Sequence, residues 1–239
     1  MKKQEIRVEK RKTYLLNDQT PFQVTEAFRN LKASISVSVP KTKQGGVSLV
    51  ITSSYPEEGK TTISSNLALM FAQSEAKVVL VDADIRKGRI AKYFKLEETP
   101  GLADLISGNA SLEEVLKSSQ VNENLYVIPC GTHSPKPYEL LESDGMKELN
   151  EKLKEQFDYV FYDTPPVLVV PDVIALAPKT EGTILVTRYM SSYVSDISKS
   201  LSMLKFAKAN VLGTIVNDYE VKEGKKIGKS YSYTYSYKN

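Results

Sequence analysis

The sequence predicts an α/β fold: a three-layer, mostly parallel, doubly wound sheet with a disordered C-terminal tail. Three observations lead there. Short continuous apolar runs alternate with longer amphipathic ones, the pattern of βα units around a sheet covered on both faces. One of those runs, VSLVIT, passes through a glycine-containing turn straight into a helical stretch. After the last run, composition changes abruptly to EVKEGKKIGKSYSYTYSYKN, which has almost no aliphatic side chain to bury.

Each element follows in chain order. Val24, Phe28, Leu31 and Ile35 fall at helical spacing, so Pro21 to Val37 is expected to be a helix packed by that stripe, its other face free for partners. Six parallel strands are expected at Val47 to Thr52, Val78 to Asp82, Leu125 to Pro129, Tyr159 to Asp163, Thr183 to Thr187 and Val211 to Val216, all rich in Val, Ile, Leu or Tyr. Helical stretches lie between them: Thr61 to Gln73, a short turn at Leu112 to Leu116, Gly145 to Gln156, and the strongly periodic Val194 to Lys208. That order calls for right-handed crossovers. The chain divides into a basic arm over residues 1–18, one core domain over 19–220 and a flexible tyrosine-rich tail over 221–239.

Composition bounds the function. With 239 residues and 41% hydrophobic side chains, one domain can bury a full core. Lys plus Arg number 32 against 29 acids, a net charge of +3 that is small and interspersed, so no nucleic acid is expected as a partner. The single cysteine, Cys130, cannot form an intramolecular disulfide, and no Cys/His cluster has metal-ligand spacing, which fits a reducing cytosol and excludes structural zinc. No run approaches the roughly 18 to 20 apolar residues that span a bilayer, so the chain is expected to be neither exported nor membrane-spanning. The basic segment Lys2 to Lys12 reads as a solvated arm or as a weak membrane contact.

The chemistry begins at Ser54-Tyr55-Pro56-Glu57-Glu58-Gly59-Lys60-Thr61, which has the spacing of a phosphate-binding loop with Ser54 at its first glycine. An ordinary βα turn is the plainer alternative, but the motif sits between a buried strand and a helix, as such a loop requires. Glu58, Gly59, Lys60, Thr61 and Thr62 are the candidate nucleotide contacts. Backbone N–H groups and the positive helix terminus would surround the phosphates, Lys60 would reach the β and γ oxygens, and the Thr61 hydroxyl would ligate magnesium. The fold is therefore expected to be of the phosphate-loop NTPase type.

Two further strands end in acids. Asp82 and Asp84 emerge from Val78-Val79-Leu80-Val81, at the carboxyl edge where open α/β sheets bind ligands. Paired carboxylates repel unless a cation lies between them, so magnesium plus a proton-accepting role accounts for both; a helix cap and a solvated acid is the alternative. Asp163, in Tyr159-Val160-Phe161-Tyr162-Asp163-Thr164-Pro165-Pro166, ends a third strand at the same edge.

Together the phosphate loop, the hydrophobic run ending Asp82-Ala83-Asp84-Ile85-Arg86, and the run ending Asp163-Thr164-Pro165-Pro166 resemble the bacterial tyrosine kinases, or BY-kinases, of polysaccharide synthesis and export systems, over nearly the whole chain. The resemblance implies ATP and Mg2+ as cofactors. It implies Lys60 on phosphates, Thr61 and Asp84 on magnesium, Asp163 on magnesium through water, Asp82 as acceptor of a tyrosine proton, and Arg86 neutralising phosphate charge. Asn217 looks like the family's adenine contact, though Asn also caps strand ends. Glu26, Arg29 and Lys32, one polar stripe on the first helix, are similar to the family's subunit-contact motif, which implies a homo-oligomeric ring. A transmembrane adaptor, a cognate tyrosine phosphatase, and a cytoplasmic location peripheral to the inner face of the membrane are implied as well.

Tyr231, Tyr233, Tyr235 and Tyr237 place four of the chain's 14 tyrosines in its last nine residues, which suits an autophosphorylated tail; strict alternation could instead mark an edge strand. Three departures from the family pattern stand out. Glu57 occupies a position usually held by glycine, Lys32 one usually held by arginine, and Gly88 one where proline is common. Two rival functions remain at this point. One is a positioning or partitioning ATPase, whose signature lysine would stand where this chain has Tyr55. The other is a nucleotide-gated assembly module that transfers phosphate poorly.

Overall fold

A computed structural model of the chain describes residues 15–40 and 45–219. The basic arm up to residue 14 and the tyrosine-rich tail from residue 220 lie outside the described residues. The predicted fold class is the one observed: a seven-stranded, mostly parallel sheet between two layers of helices.

The described elements run α1 (Phe22–Ser38), β1 (Val47–Ser53), α2 (Lys60–Ala72), β2 (Val78–Asp82), α3 (Ile90–Phe94), α4 (Leu102–Ile106), α5 (Leu112–Val115), β3 (Lys117–Ser118), β4 (Leu125–Ile128), α6 (Pro137–Glu142), α7 (Asp144–Gln156), β5 (Tyr159–Asp163), α8 (Asp172–Leu176), β6 (Gly182–Arg188), α9 (Val194–Phe206) and β7 (Val211–Asn217). The strand order is β3-β4-β2-β5-β1-β6-β7. All pairings are parallel except β3 with β4.

Alternation along the strands builds two cores. Leu49, Ile51, Val78, Leu80 and Phe161 face α1, α2 and α3, where they meet Phe28, Ile35, Leu67, Phe71 and Phe94. Val50, Val79, Val81, Val160 and Tyr162 face the opposite layer and meet Leu141, Met146, Leu153, Leu176 and Leu204. Each fully buried aliphatic side chain contributes roughly 1.5–3 kcal/mol. Helix α2 packs against the sheet with every residue but Lys60 and Thr62 buried, so it is covered on all sides rather than amphipathic.

The structure corrects three expectations of detail. The sheet has a seventh strand, the short antiparallel Lys117–Ser118, which carries no apolar run to announce it. Val24 is 42% exposed, so the stripe that packs α1 is Phe28, Leu31 and Ile35. Helices α3, α4, α6 and α8 fill loops between the expected elements; each is only five or six residues long and too short to display a period. The segment ahead of α1 is also anchored: Leu15 and Leu16 pack on the first core, and the Leu16 N–H donates to Asn66 Oδ1 on α2 at 2.7 Å.

The order places β1 between β5 and β6, with β2 beyond β5. Chain connections leave β1 toward one side and β5 toward the other, so the carboxyl ends of β1, β2 and β5 flank the crevice where doubly wound sheets bind ligands.

Candidate active site

The loop between β1 and α2 is shaped by its own residues and by neighbours on β6, β7 and α9. Gly59 stands at φ 94 as the helix opens, and a Cβ there would meet Asn217 Nδ2 at 2.0 Å, so only glycine fits. Glu57 also lies in the left-handed region, at φ 68, the backbone conformation expected where the family pattern has glycine. The Glu58 side chain is buried and turns back into the loop, accepting the Tyr55 N–H at 2.9 Å and the Ser192 hydroxyl. Ser54, in place of the first glycine, shares a 2.8 Å hydroxyl contact with the buried Ser200 of α9.

At the head of α2, Lys60 is aimed at the ends of the neighbouring strands. Its ammonium lies 3.4 Å from Asp84 Oδ2 and 3.8 Å from Asp163 Oδ2. Thr61 donates its hydroxyl to Asp163 Oδ2 at 2.6 Å, while Asp163 Oδ1 is buried with no hydrogen-bond partner. Asp82 is the register partner of Asp163 across β2 and β5. Its Oδ2 accepts the N–H groups of Arg89 and Ile90 at 2.8 and 2.9 Å, and its Oδ1 that of Asp84 at 3.3 Å.

Burial and crowding set the charges. Burial, with the Asp163 charge added, pushes the Asp82 carboxyl up to about 7. Burial also raises Asp163, against the opposing pull of Lys60 and the Thr61 hydroxyl. Burial works against the Lys60 charge, yet Asp163, Asp84 and Asp82 together hold its ammonium above the ordinary value. Three carboxyl groups around one ammonium are a surplus of acid in a desolvated cleft, where each further ionisation is costly without a cation.

That surplus, together with the orphaned Asp163 oxygen and the Thr61 hydroxyl beside it, fits a divalent cation. Among the described residues no three Asp, Glu, His or Cys side chains form a cage for a metal on their own. A magnesium ion carried with phosphates needs only one or two protein carboxylates.

Of the site residues expected from sequence, the structure brings together Lys60, Thr61, Asp82, Asp84 and Asp163, with Glu58 and Gly59 on the adjoining loop. Thr62 lies one residue further along α2 and shares a 2.9 Å hydroxyl contact with Tyr93 of α3. Asn217, at the end of β7, donates to the Glu58 carbonyl at 3.0 Å. Arg86 is engaged with Asp172, its Nε and Nη2 donating to the two carboxylate oxygens at 2.7 and 3.0 Å. Glu26 and Arg29 pair with each other on α1, and the Lys32 ammonium lies 5.9 Å from the centre of the Phe71 ring, all apart from the acid cluster. Tyr231, Tyr233, Tyr235 and Tyr237 lie outside the described residues.

The sequence reading missed Asp172, Tyr93, Arg188 and Ser192. Asp172 is fully buried although it follows Pro171 at the start of a short helix, where an acid reads as an ordinary helix-start residue. Nothing in its local sequence marks the buried pairing partner 86 positions away.

A doubly wound sheet whose β1 runs through a phosphate-binding loop into a buried helix, with acids ending β2 and β5, defines a phosphate-loop nucleotide-binding domain. The AAA_31 family, described as an AAA domain, matches residues 56–212. Tyrosine-protein kinase YwqD of Bacillus subtilis (strain 168) is 36% identical over 88% of this chain and 85% of its own length. Tyrosine-protein kinase ptk of Acinetobacter johnsonii is 36% identical over 82% of this chain, which spans only 26% of that longer protein. The kinase domain of Escherichia coli tyrosine kinase ETK superimposes with a TM-score of 0.79 at 31% identity, covering 96% of this chain and 91% of that domain. The septum site-determining protein MinD of Pyrococcus horikoshii, complexed with Mg-ADP, stands further off, with a TM-score of 0.62 at 27% identity over 74% of this chain and 72% of its own. The chain belongs to the bacterial tyrosine-protein kinase family and corresponds to its kinase domain. No helix among the described residues is long and apolar enough to cross a membrane.

Proposed function

We propose that this chain is an ATP-dependent protein tyrosine autokinase that transfers the γ-phosphate of ATP to Tyr231, Tyr233, Tyr235 and Tyr237 of its own tail. The observation that carries the reading is the convergence of Lys60, Thr61, Asp82, Asp84 and Asp163 at the ends of three adjacent strands. In this reading Lys60 and the loop amides hold the phosphates and offset the charge that develops during transfer. Thr61, Asp84 and Asp163 would hold magnesium, which neutralises phosphate charge when bound. Asp82 accepts the phenolic proton; a buried carboxyl near neutrality is suited to that exchange. Arg86 joins the phosphates only after releasing Asp172, or else serves to brace the loop it stands on.

Transfer between subunits of a ring, built through Glu26, Arg29 and Lys32 of α1, is part of the same proposal, the tyrosine-rich tail following β7 in the sequence. A transmembrane adaptor would hold the ring at the membrane, a phosphatase would reset it, and polysaccharide synthesis and export would be the process regulated. Mixing Lys60→Met protein with tail-deleted protein tests the geometry: phosphotyrosine on the Lys60→Met tail is the expected result, and its absence excludes transfer between subunits.

The primary test is incubation of the purified chain with ATP and magnesium, with and without a candidate adaptor tail, followed by phosphate mapping by mass spectrometry. Phosphotyrosine confined to the tail and lost in Lys60→Met and Asp82→Asn supports the reading. ATP binding without phosphotyrosine under either condition favours the nucleotide-gated module. The positioning-ATPase reading is disfavoured by Tyr55, an exposed residue where that class carries its signature lysine.

A further inference from the structure

The phosphate loop is held from behind as well as from within, and the hold falls on its most strained residue. Glu57, at φ 68, occupies a left-handed conformation that costs a side-chain-bearing residue roughly 1 kcal/mol relative to glycine. Its carbonyl oxygen accepts from Arg188 Nη1 at 3.4 Å, and the next carbonyl, that of Glu58, accepts from Asn217 Nδ2 at 3.0 Å. Arg188 and Asn217 are register partners at the ends of β6 and β7. They stand on the opposite flank of β1 from β5 and β2, which carry the acids.

A trans peptide points its C=O and its N–H in opposite directions. Fixing the Glu57 carbonyl on Arg188 therefore turns the Glu58 N–H away from β6 and β7, and fixing the Glu58 carbonyl on Asn217 turns the Gly59 N–H the same way. Those N–H groups are the donors a phosphate loop presents to its ligand. Arg188 is itself oriented: its Nε and Nη2 donate to Asp218 Oδ2 at 3.0 and 2.6 Å, and its N–H donates to the Ser192 hydroxyl at 2.7 Å. Ser192 in turn donates to the Glu58 carboxylate, closing a circuit around the loop.

We infer that Arg188 is a positioning residue for nucleotide binding: by gripping the Glu57 carbonyl it keeps a strained loop peptide turned so that the Glu58 N–H is presented to phosphate. The inference rests on the nucleotide-binding reading of this site. It also accounts for how the chain accommodates glutamate where its relatives' pattern has glycine. A glycine holds φ near 68 without strain, whereas for glutamate that conformation costs free energy, which the Arg188 contact helps to offset. Without Arg188, Glu57 relaxes out of the left-handed region and the Glu58 N–H swings away from the cradle.

The experiment measures dissociation constants of Mg-ATP and ADP by calorimetry on the full chain, for wild type, Arg188→Ala, Glu57→Gly and the double variant. Arg188→Ala is expected to weaken both nucleotides about tenfold, the loss typical of one hydrogen bond to a charged group. Glu57→Gly on that background is expected to restore affinity to within about twofold of Glu57→Gly alone, because glycine removes the strain the clamp opposes. Asp218→Asn, which keeps the guanidinium but loosens its anchor, serves if Arg188→Ala does not fold, with about threefold weakening and the same rescue. Undiminished binding by both variants overturns the inference, as does weakened binding that Glu57→Gly fails to rescue, since Arg188 would then act on the nucleotide or on the fold directly. Wild-type protein that binds no ATP at all overturns the nucleotide reading and takes the inference with it.

Discussion

Asp82 and Asp163 sit side by side, paired in register at the last residues of β2 and β5 and both buried. Burial, with each carboxyl's charge opposing the other's, raises both, and Asp82 goes from an ordinary 3.8 to about 7.

The consequence for stability has a definite sign. Because the folded carboxyl holds its proton to a higher pH than the unfolded one, stability is full below the unfolded value and is lost as pH rises through about 7. Asp82→Asn removes this penalty while keeping an oxygen for the Arg89 and Ile90 amides. In metal-free, nucleotide-free buffer at pH 8 the variant is expected to be more stable than wild type by on the order of 2 kcal/mol, with the difference vanishing near pH 4. Urea melts across that range check it; a pH-independent difference would count against the coupling. The same variant is expected to make no phosphotyrosine.

Arg86 and Asp172 give a second prediction, because one partner is half-exposed and the other fully buried. Arg86→Ala strands the Asp172 carboxylate and is expected to cost about 2 kcal/mol, less than a fully buried pair because solvent reaches the guanidinium side. Arg86→Ala combined with Asp172→Ala is expected to cost less than the two single changes added together, which equilibrium unfolding of all three variants measures.

How far the sequence foretold this site depends on the range over which each signal acts. Asp82, Asp84 and Asp163 were legible because they follow continuous apolar runs, and strand ends in a parallel sheet share one edge; Lys60 and Thr61 were legible from the phosphate-loop spacing between such a run and a helix. Glu57 was legible for a different reason: a side chain at a position of known backbone demand predicts its own strain. Asp172, Tyr93 and Arg188 were not legible, since their partners lie 86, 31 and 131 residues away and no local pattern records a contact across that separation. Short helices such as α3 escaped for lack of length, and Tyr93 was lost with the helix that carries it.

The packing leaves Gly88 no room for a side chain. A Cβ there would lie 2.3 Å from Cys130 Sγ, 2.8 Å from its Cβ and 2.9 Å from Asp82 Oδ2. Gly88→Ala is expected to lose about 1–3 kcal/mol through overpacking and to displace the Asp82 carboxylate, lowering kcat more than it raises KM for ATP. A thermal melt and steady-state kinetics on the same preparation separate the two effects.

Tyr93 and Thr62 supply the last prediction. A hydroxyl has one proton to give; when Tyr93 donates to Thr62 Oγ1 across 2.9 Å, the Thr62 proton is free to be donated to a nucleotide phosphate next to Lys60. Tyr93→Phe leaves the ring packed on the first core but removes that ordering, so KM for ATP is expected to rise about threefold with kcat and melting temperature unchanged. Thr62→Ala is expected to raise KM further, and adding Tyr93→Phe to it is expected to change nothing more, because the phenol acts only through the threonine. A double variant weaker than Thr62→Ala would instead mean that Tyr93 touches the nucleotide itself.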